Sequence, residues 1–171
     1  MVPLQAVRSF SFPLSGGQEV PPVNTGASGD CTLLLNATRS ELEIFCTHNL
    51  TTASPGGHIH IAPRGVNGNI VFHLPNLGAS PVDTTWSVDP SSAGSGSNIS
   101  RPLTPDLVDA LLAGNLYVNL HSSANPSGEI RGQIENVAES LPPGVPALGL
   151  YGTIALLGLL LGGGYWYRRR A

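Results

Sequence analysis

Two short stretches alternate apolar residues with polar ones, and this alternation constrains the fold more than any other feature. In residues 57–61 (Gly-His-Ile-His-Ile), His58 and His60 are separated by a single residue, as are Ile59 and Ile61. Successive side chains of a β-strand point to opposite faces, so the two histidines share one face and the two isoleucines the other. The pattern predicts a half-buried strand whose outer face carries both histidines.

Residues 116–121 (Leu-Tyr-Val-Asn-Leu-His) repeat this design. In a strand Tyr117, Asn119 and His121 share one face, and the two aliphatic residues between them share the other. The sequence therefore predicts a second strand with an apolar inner face and a histidine on the outer side. Three imidazoles from two strands are either a metal site or chemically inert surface residues.

Composition favours many short strands. The chain has 171 residues with 21 Gly and 15 Pro, and only 11% of its residues are charged, against about a quarter in an average protein. Such turn-rich sequences are typical of all-β proteins. We predict an antiparallel Greek-key β-sandwich or barrel with one short helix, formed by residues 1–137. The net charge of -3 provides no basic patch, which excludes nucleic-acid binding.

The helix is predicted between Thr104 and Gly114. Thr104 is a suitable N-cap, Pro105 suits the first helical position and Gly114 a terminating one. An edge strand is predicted at residues 8–14, where phenylalanine and leucine alternate with polar residues.

Residues 75–98 show no strand periodicity that we could recognise. We therefore expect a loop there, with a short apolar patch around Trp86 and Val88.

A hairpin is predicted from residues 30–36 and 41–48, and its register places both cysteines on one face. The predicted pairs are Leu35 with Leu42, Leu33 with Ile44, and Cys31 with Cys46. Directly opposed strand residues lie near the distance that a disulfide needs. A Cys31–Cys46 bridge suits an exported domain, and two buried free thiols are the alternative. The spacing of the two cysteines does not fit a zinc site.

The C-terminal region has a different character. Residues 138–146 are rich in Pro and Gly and predict an extended linker. Residues 147–167 carry no charge, and their length suits a transmembrane helix. This segment ends in Tyr-Trp-Tyr, and three arginines follow it. Residues 147–171 are therefore predicted as a membrane helix with an Arg-rich tail. The positive-inside rule then places the β domain extracytoplasmically, in the cell envelope, and the C-terminus in the cytoplasm.

Export requires a targeting signal, and residues 1–9 have neither a basic start nor an apolar run. We favour a signal that lies upstream of the given start. A mature fragment and insertion through the tail alone are the alternatives.

Three blocks of the sequence resemble the CHRD (chordin-type) domain family. They are residues 14–23 (Leu-Ser-Gly-Gly-Gln-Glu-Val-Pro-Pro-Val), residues 58–62 with 65–71, and residues 114–134. The blocks occur in the order of the family, and the resemblance covers about residues 8–135. It implies an extracellular β-sandwich of poorly defined activity.

The tail resembles bacterial C-terminal sorting signals, with Val145-Pro146 before the apolar run and the arginines after it. This resemblance implies a sorting protease as a partner. The domain would then be released or attached to the surface after processing.

The histidine pattern resembles the copper site of copper–zinc superoxide dismutases, which combine His-x-His on one strand with a later histidine. Independently of this, residues i and i+2 of a strand are close enough for two imidazoles to bind one ion, and imidazole suits copper and zinc. We therefore expect His58, His60 and His121 to bind a metal, copper first and zinc as the alternative. His73 is a further candidate at the metal site, and we expect it either to be buried or to have a bridging role there.

Four further residues are expected to orient the metal ligands through hydrogen bonds, as metal sites usually require. They are Tyr117, Asn119, Glu129 and Arg131. Glu19 is expected to accept backbone N–H groups within its own Gly/Pro-rich loop.

Two other functions compete with metal binding. One is a structural or adhesive module with a protein or polysaccharide partner, in which the histidines are incidental. The other is a superoxide dismutase-like enzyme. The sequence disfavours the enzyme, because it has no Asp/His cluster for a separate zinc ion.

Overall fold

The computed structural model describes residues 6–51, 56–75, 80–93 and 101–135. Its strands are β1 (Arg8–Ser15), β2 (Ser28–Leu35), β3 (Glu41–His48), β4 (Gly57–Ile61), β5 (Asn69–Leu74), β6 (Val82–Ser87), β7 (Leu116–Leu120) and β8 (Ile130–Ile134). Helix α1 spans Pro105–Leu112 between β6 and β7, and short 3₁₀ turns occur at Gly16–Gln18 and Pro90–Ala93.

These strands form one antiparallel sheet in the order β5-β4-β7-β8-β1-β2-β3-β6. The sheet curls until its edge strands nearly meet, where Phe72 of β5 stacks on Trp86 of β6 with ring centroids 5.0 Å apart. The Arg101 N–H donates to Val71 O of β5, and the Trp86 Nε1–H donates to Arg101 O. The all-β antiparallel prediction with one short helix is confirmed, in the form of a nearly closed barrel-like sheet.

The barrel interior is the hydrophobic core. Phe10, Phe12 and Leu14 of β1 are all buried there, which confirms the predicted alternation. The predicted edge position of this strand is wrong, because β1 lies between β8 and β2. Its register with β8 is limited to Ser15 and Arg131, so Pro13, which has no N–H to donate, does not interrupt that pairing. Helix α1 is close to its predicted bounds and buries Leu107 and Leu111. Thr104 occupies its N-cap position but makes no side-chain capping hydrogen bond.

The predicted hairpin register of β2 and β3 is confirmed pair by pair. Cys31 lies opposite Cys46 with a Cα–Cα distance of 4.1 Å, and the two sulfur atoms are bonded. Both cysteines are buried in the core. The disulfide therefore joins two adjacent strands on their inner face.

The loop predicted at residues 75–98 is wrong over Val82–Ser87, which form β6 and pair with β3. Val82 and Trp86 are buried while Asp83 and Thr85 are exposed, so this segment does alternate. Thr84 occupies the central inward position. Because threonine is polar, the apolar residues of this segment do not by themselves show the two-residue period of a strand.

The predicted linker (138–146) and the predicted membrane helix and tail (147–171) lie outside the described residues. Within the described ranges, no helix has both the length and the apolar character needed to span a membrane.

Candidate metal centre

The sheet face that points away from the core carries two polar rows that cross neighbouring strands. The first row runs from His73 (β5) through His58 (β4) and Asn119 (β7) to Arg131 (β8), each paired in register with the next. This row results from the strand alternation that places polar residues on one face.

The second row runs from His60 through Tyr117 to Gln133. Although this face was expected to be an outer one, Tyr117, Gln133 and His121 are only 2%, 2% and 8% exposed. The loops before β2 and between β4 and β5 contribute partners to this face. The histidines therefore lie in a partly buried polar layer.

His60 is held in one tautomer by the backbone. Its Nδ1 lies 2.9 Å from Gly68 O, and because a carbonyl can only accept, Nδ1 must carry the proton. Nε2 then has a lone pair. This atom is buried and has no hydrogen-bond partner in the described part of the chain, so a metal ion could use it without displacing a contact seen there.

His121 is oriented in the same way, from the turn that follows β7. Its Nδ1 donates to Pro126 O at 2.8 Å, which leaves the Nε2 lone pair directed at His58 Nδ1, 2.9 Å away. In the absence of a metal, His58 must therefore donate from Nδ1. Backbone carbonyls that fix the tautomer of an imidazole are a common feature of metal sites.

The structure brings His58, His60 and His121 together, with one ring nitrogen of each within 4.8 Å of the others. An ion bound at about 2.1 Å by three nitrogens requires nitrogen–nitrogen separations of about 3.4 Å. The His58–His121 pair is already closer than this. Binding would therefore require the His58–His121 hydrogen bond to open and His60 to approach by about 1 Å.

Burial in the cluster favours the neutral form of two of its imidazoles, His58 and His60. The pKa of His58 is lowered to about 3, first by burial and then by the neighbouring His121, His73 and His60. Burial also lowers the pKa of His60 below its usual value, against the opposing effect of its bond to Gly68. Neutral imidazole is the form that binds metals.

His73 lies beside this cluster. It is the register partner of His58, and the two ring centroids are 4.4 Å apart. Its nitrogens do not join the three-histidine group. A register shift between Ile59 and His60 lies in the pairing of β4 with β5, and the sequence could not show this irregularity.

Tyr117 and Arg131, two of the predicted orienting residues, form a stack on His60. The Tyr117 ring is parallel to that of His60, and the Arg131 guanidinium lies 3.4 Å above the centroid of its other face. Arg131 also donates to Val66 O and to Asn67 Oδ1. It therefore braces the loop that contains Gly68.

Asn119 makes its contact with Glu19 instead of a histidine, donating from Nδ2 to Glu19 Oε2 at 3.3 Å. Glu19 is buried, and this desolvation raises the pKa of its carboxyl to about 7 despite nearby Arg131. The expected backbone donors to Glu19 are not found among the described residues.

Glu129, the fourth predicted orienting residue, binds the turn that follows β7. Thr25 donates to its carboxylate, and hydrogen bonds with Ser122 and Asn125 help lower its pKa. Its contribution to His121 is therefore indirect, through the loop that ends at Pro126.

Sequence analysis missed the two carbonyls that fix the tautomers, Gly68 O and Pro126 O. The pair Asn67-Gly68 is typical of a turn, but it does not show that the Gly68 carbonyl faces a histidine. Gln133 was also missed. Its amide donates to Ala62 O and Gly114 O. These carbonyls follow β4 and precede β7 at the same end of that antiparallel pair, so Gln133 ties this end to β8.

A family model described as "CHRD domain" matches residues 10–134. The match covers well over half of the chain and includes every residue of the two polar rows. No curated protein and no solved structure shows a significant match.

Proposed function

The chain belongs to the CHRD domain family, and on that premise we propose that it is an exported domain that binds one metal ion through His58, His60 and His121. The metal is copper in the first place and zinc as the alternative. The domain serves to hold the metal or to use it in redox chemistry.

The observation that carries this proposal is the fixed direction of two lone pairs. Gly68 O and Pro126 O hold Nδ1 of His60 and His121, which leaves Nε2 of each as the lone-pair atom. His121 Nε2 faces His58, and His60 Nε2 is buried in the same three-histidine group. A histidine that served only as a surface residue would not need a buried nitrogen without a partner. Three imidazoles with further coordination positions open suit copper or zinc.

We also propose a location for the β domain. We place the β domain outside the cytoplasm because the family is extracellular in character and because the domain contains a disulfide. Residues 147–167 would anchor it as a single membrane span, and a sorting protease could cleave this tail. Fractionation of cells with an antibody against the β domain tests this assignment.

Metal analysis of protein refolded with Cu(II) tests the binding proposal. The wild-type chain should retain one copper ion per molecule after desalting, and a His58→Ala/His60→Ala double variant should retain none. His48→Ala is the matched control, because His48 lies outside the three-histidine group. Equal copper content in the wild type and the double variant would refute the proposal and favour a structural or adhesive module.

Superoxide dismutase-like activity is the enzymatic alternative. One three-residue group of possible metal ligands is found in the described part of the chain. A superoxide assay on protein with stoichiometric copper separates metal holding from catalysis.

A further inference from the structure

A cavity of about 320 Å³ lies beside the histidine cluster, and most of its lining residues are not metal-ligand candidates. Its lining includes the polar residues Glu19 and Asn119, together with Gly128 and the Val20–Val23 segment. Of the three candidate metal ligands, His60 is the one that lines this cavity. The volume falls at the lower end of the range of small-molecule sites.

Two buried acceptor oxygens of the lining, Glu19 Oε1 and Asn119 Oδ1, have no hydrogen-bond partner among the residues that the structure describes. Their residues are 7% and 5% exposed. When the Glu19 carboxyl is ionised, the Asn119 amide has one orientation, because only its NH₂ group can then donate to Glu19 Oε2. Buried polar atoms nearly always have a partner, so two in one cavity wall indicate a ligand.

The two oxygens are neighbours, and Gly128 leaves room beside them. A Cβ atom on Gly128 would lie 2.6 Å from both Oδ1 and Nδ2 of Asn119 and 2.8 Å from Glu19 Oε1. A side chain at position 128 would therefore fill the space in front of both acceptors. The pair is suited to two adjacent donors on one ligand.

The charge balance favours a neutral ligand over a cation. Arg131 acts on the Glu19 carboxylate but is not part of the cavity wall. A cation bound at Glu19 would have to compete with the Arg131 guanidinium for the negative charge of the Glu19 carboxylate. Neutral hydroxyl groups donate to both oxygens without that conflict.

The Val20–Val23 part of the lining is apolar, and its Pro21 and Pro22 are exposed. A ligand that matches the cavity needs hydroxyl donors on one edge and C–H groups on a face. Sugar rings combine these two properties.

We propose that the cavity lined by Glu19, Asn119 and the Val20–Val23 segment binds a neutral sugar ring, with adjacent hydroxyls donating to Glu19 Oε1 and Asn119 Oδ1. This site does not depend on the bound metal, although His60 borders both. The sugar could be a free monosaccharide or one unit of a polysaccharide.

An NMR titration of the metal-free full-length chain tests the proposal, in a sugar-free detergent such as dodecylphosphocholine. The probes are the methyl glycosides of glucose, galactose, mannose and N-acetylglucosamine, with methylammonium as the cation control. At least one glycoside should cause saturable shifts of the Gly68 and Gly128 amides and of the Asn119 side-chain amide. Disaccharides and longer oligomers then distinguish free sugar from a polysaccharide unit.

Two variants locate the binding. At a pH above about 7, where Glu19 is ionised, Glu19→Ala should weaken the glycoside about tenfold or more, because it removes a charged acceptor. Thr85→Ala, at an exposed position of β6 outside the cavity lining, is the control and should leave glycoside affinity within about twofold. The wild-type shift map remains decisive if Glu19→Ala does not fold. Glycoside shifts that are absent or map elsewhere, or saturation by methylammonium alone, would overturn the proposal.

Discussion

His60 lies face to face with Tyr117, with ring centroids 4.8 Å apart and ring planes within 6° of parallel. Both side chains also hold the same residue. His60 Nδ1 donates to Gly68 O, and the Gly68 N–H donates to the Tyr117 hydroxyl at 3.1 Å. The tautomer of His60 and the position of the β4–β5 loop are therefore set by one small group of contacts.

Replacing Tyr117 tests this arrangement. Tyr117→Phe keeps the stacked ring but removes the acceptor for the Gly68 N–H, and should lower the free energy of unfolding by about 1–2 kcal/mol. Tyr117→Leu also removes the stacking and should weaken copper binding further. Urea denaturation and copper titration measure both effects. Copper affinity that is unchanged in Tyr117→Leu would show that the stack does not position His60.

The pKa of His58 predicts an unusual proton titration. In the folded, metal-free protein the ring should stay neutral from pH 8 to pH 5, because its pKa is lowered to about 3. Histidine C–H resonances measured by NMR should be flat for His58 over this range. The same protein in urea provides the control and should titrate near pH 6.5. A folded-state midpoint near 6.5 would contradict the burial argument.

This shift also has a consequence for stability. The folded pKa of His58 lies below its unfolded value, so the unfolded state binds more protons between about pH 6.5 and about pH 3. The His58 contribution to the free energy of unfolding should therefore decline on acidification through this window and be constant above it.

Glu19 should have the opposite pH dependence. Its folded pKa of about 7 lies above the ordinary value of 4.5, so the folded state binds the extra proton between these values. Stability from this group is full below pH 4.5 and is lost as pH rises through 7, by at most about 1.4 kcal/mol per pH unit. Glu19→Gln removes this loss and should gain stability relative to wild type between pH 5 and pH 8. Parallel urea curves at both pH values test this, and a constant difference would contradict it.

The Cys31–Cys46 disulfide provides a prediction about the stability of the barrel. It closes a loop between residues 15 positions apart, for which chain entropy predicts about 3 kcal/mol. Cys31→Ala/Cys46→Ala should lose at least this much, because both side chains are also buried in the core. Reducing agent should destabilise the wild type but not the variant, and equal sensitivity of the two proteins would be incompatible with a stabilising bridge.

The sequence predicted the parts of the fold that depend on alternation. Cys31 and Cys46 could be placed opposite each other because every residue between Cys31 and Leu35 keeps the period of two. The same rule placed His58, His60 and Tyr117 on one face. It failed for β6, where Thr84 occupies the position between the buried Val82 and Trp86.

What the sequence could not predict depends on loops that meet the sheet. Gly68 and Pro126 act through their carbonyl groups, which no residue type encodes. Glu19 meets Asn119 across 100 positions of sequence, and alternation does not determine which loop covers a face. The burial of the polar layer followed from these contacts and reversed the expectation of an exposed histidine face.

An anomalous difference map at the copper edge, from crystals of the protein grown with Cu(II), tests the metal proposal most directly. The account predicts one strong peak about 2.0–2.1 Å from a ring nitrogen of each of His58, His60 and His121. A peak at another place, or a copper-loaded crystal without a peak between these three rings, would contradict it.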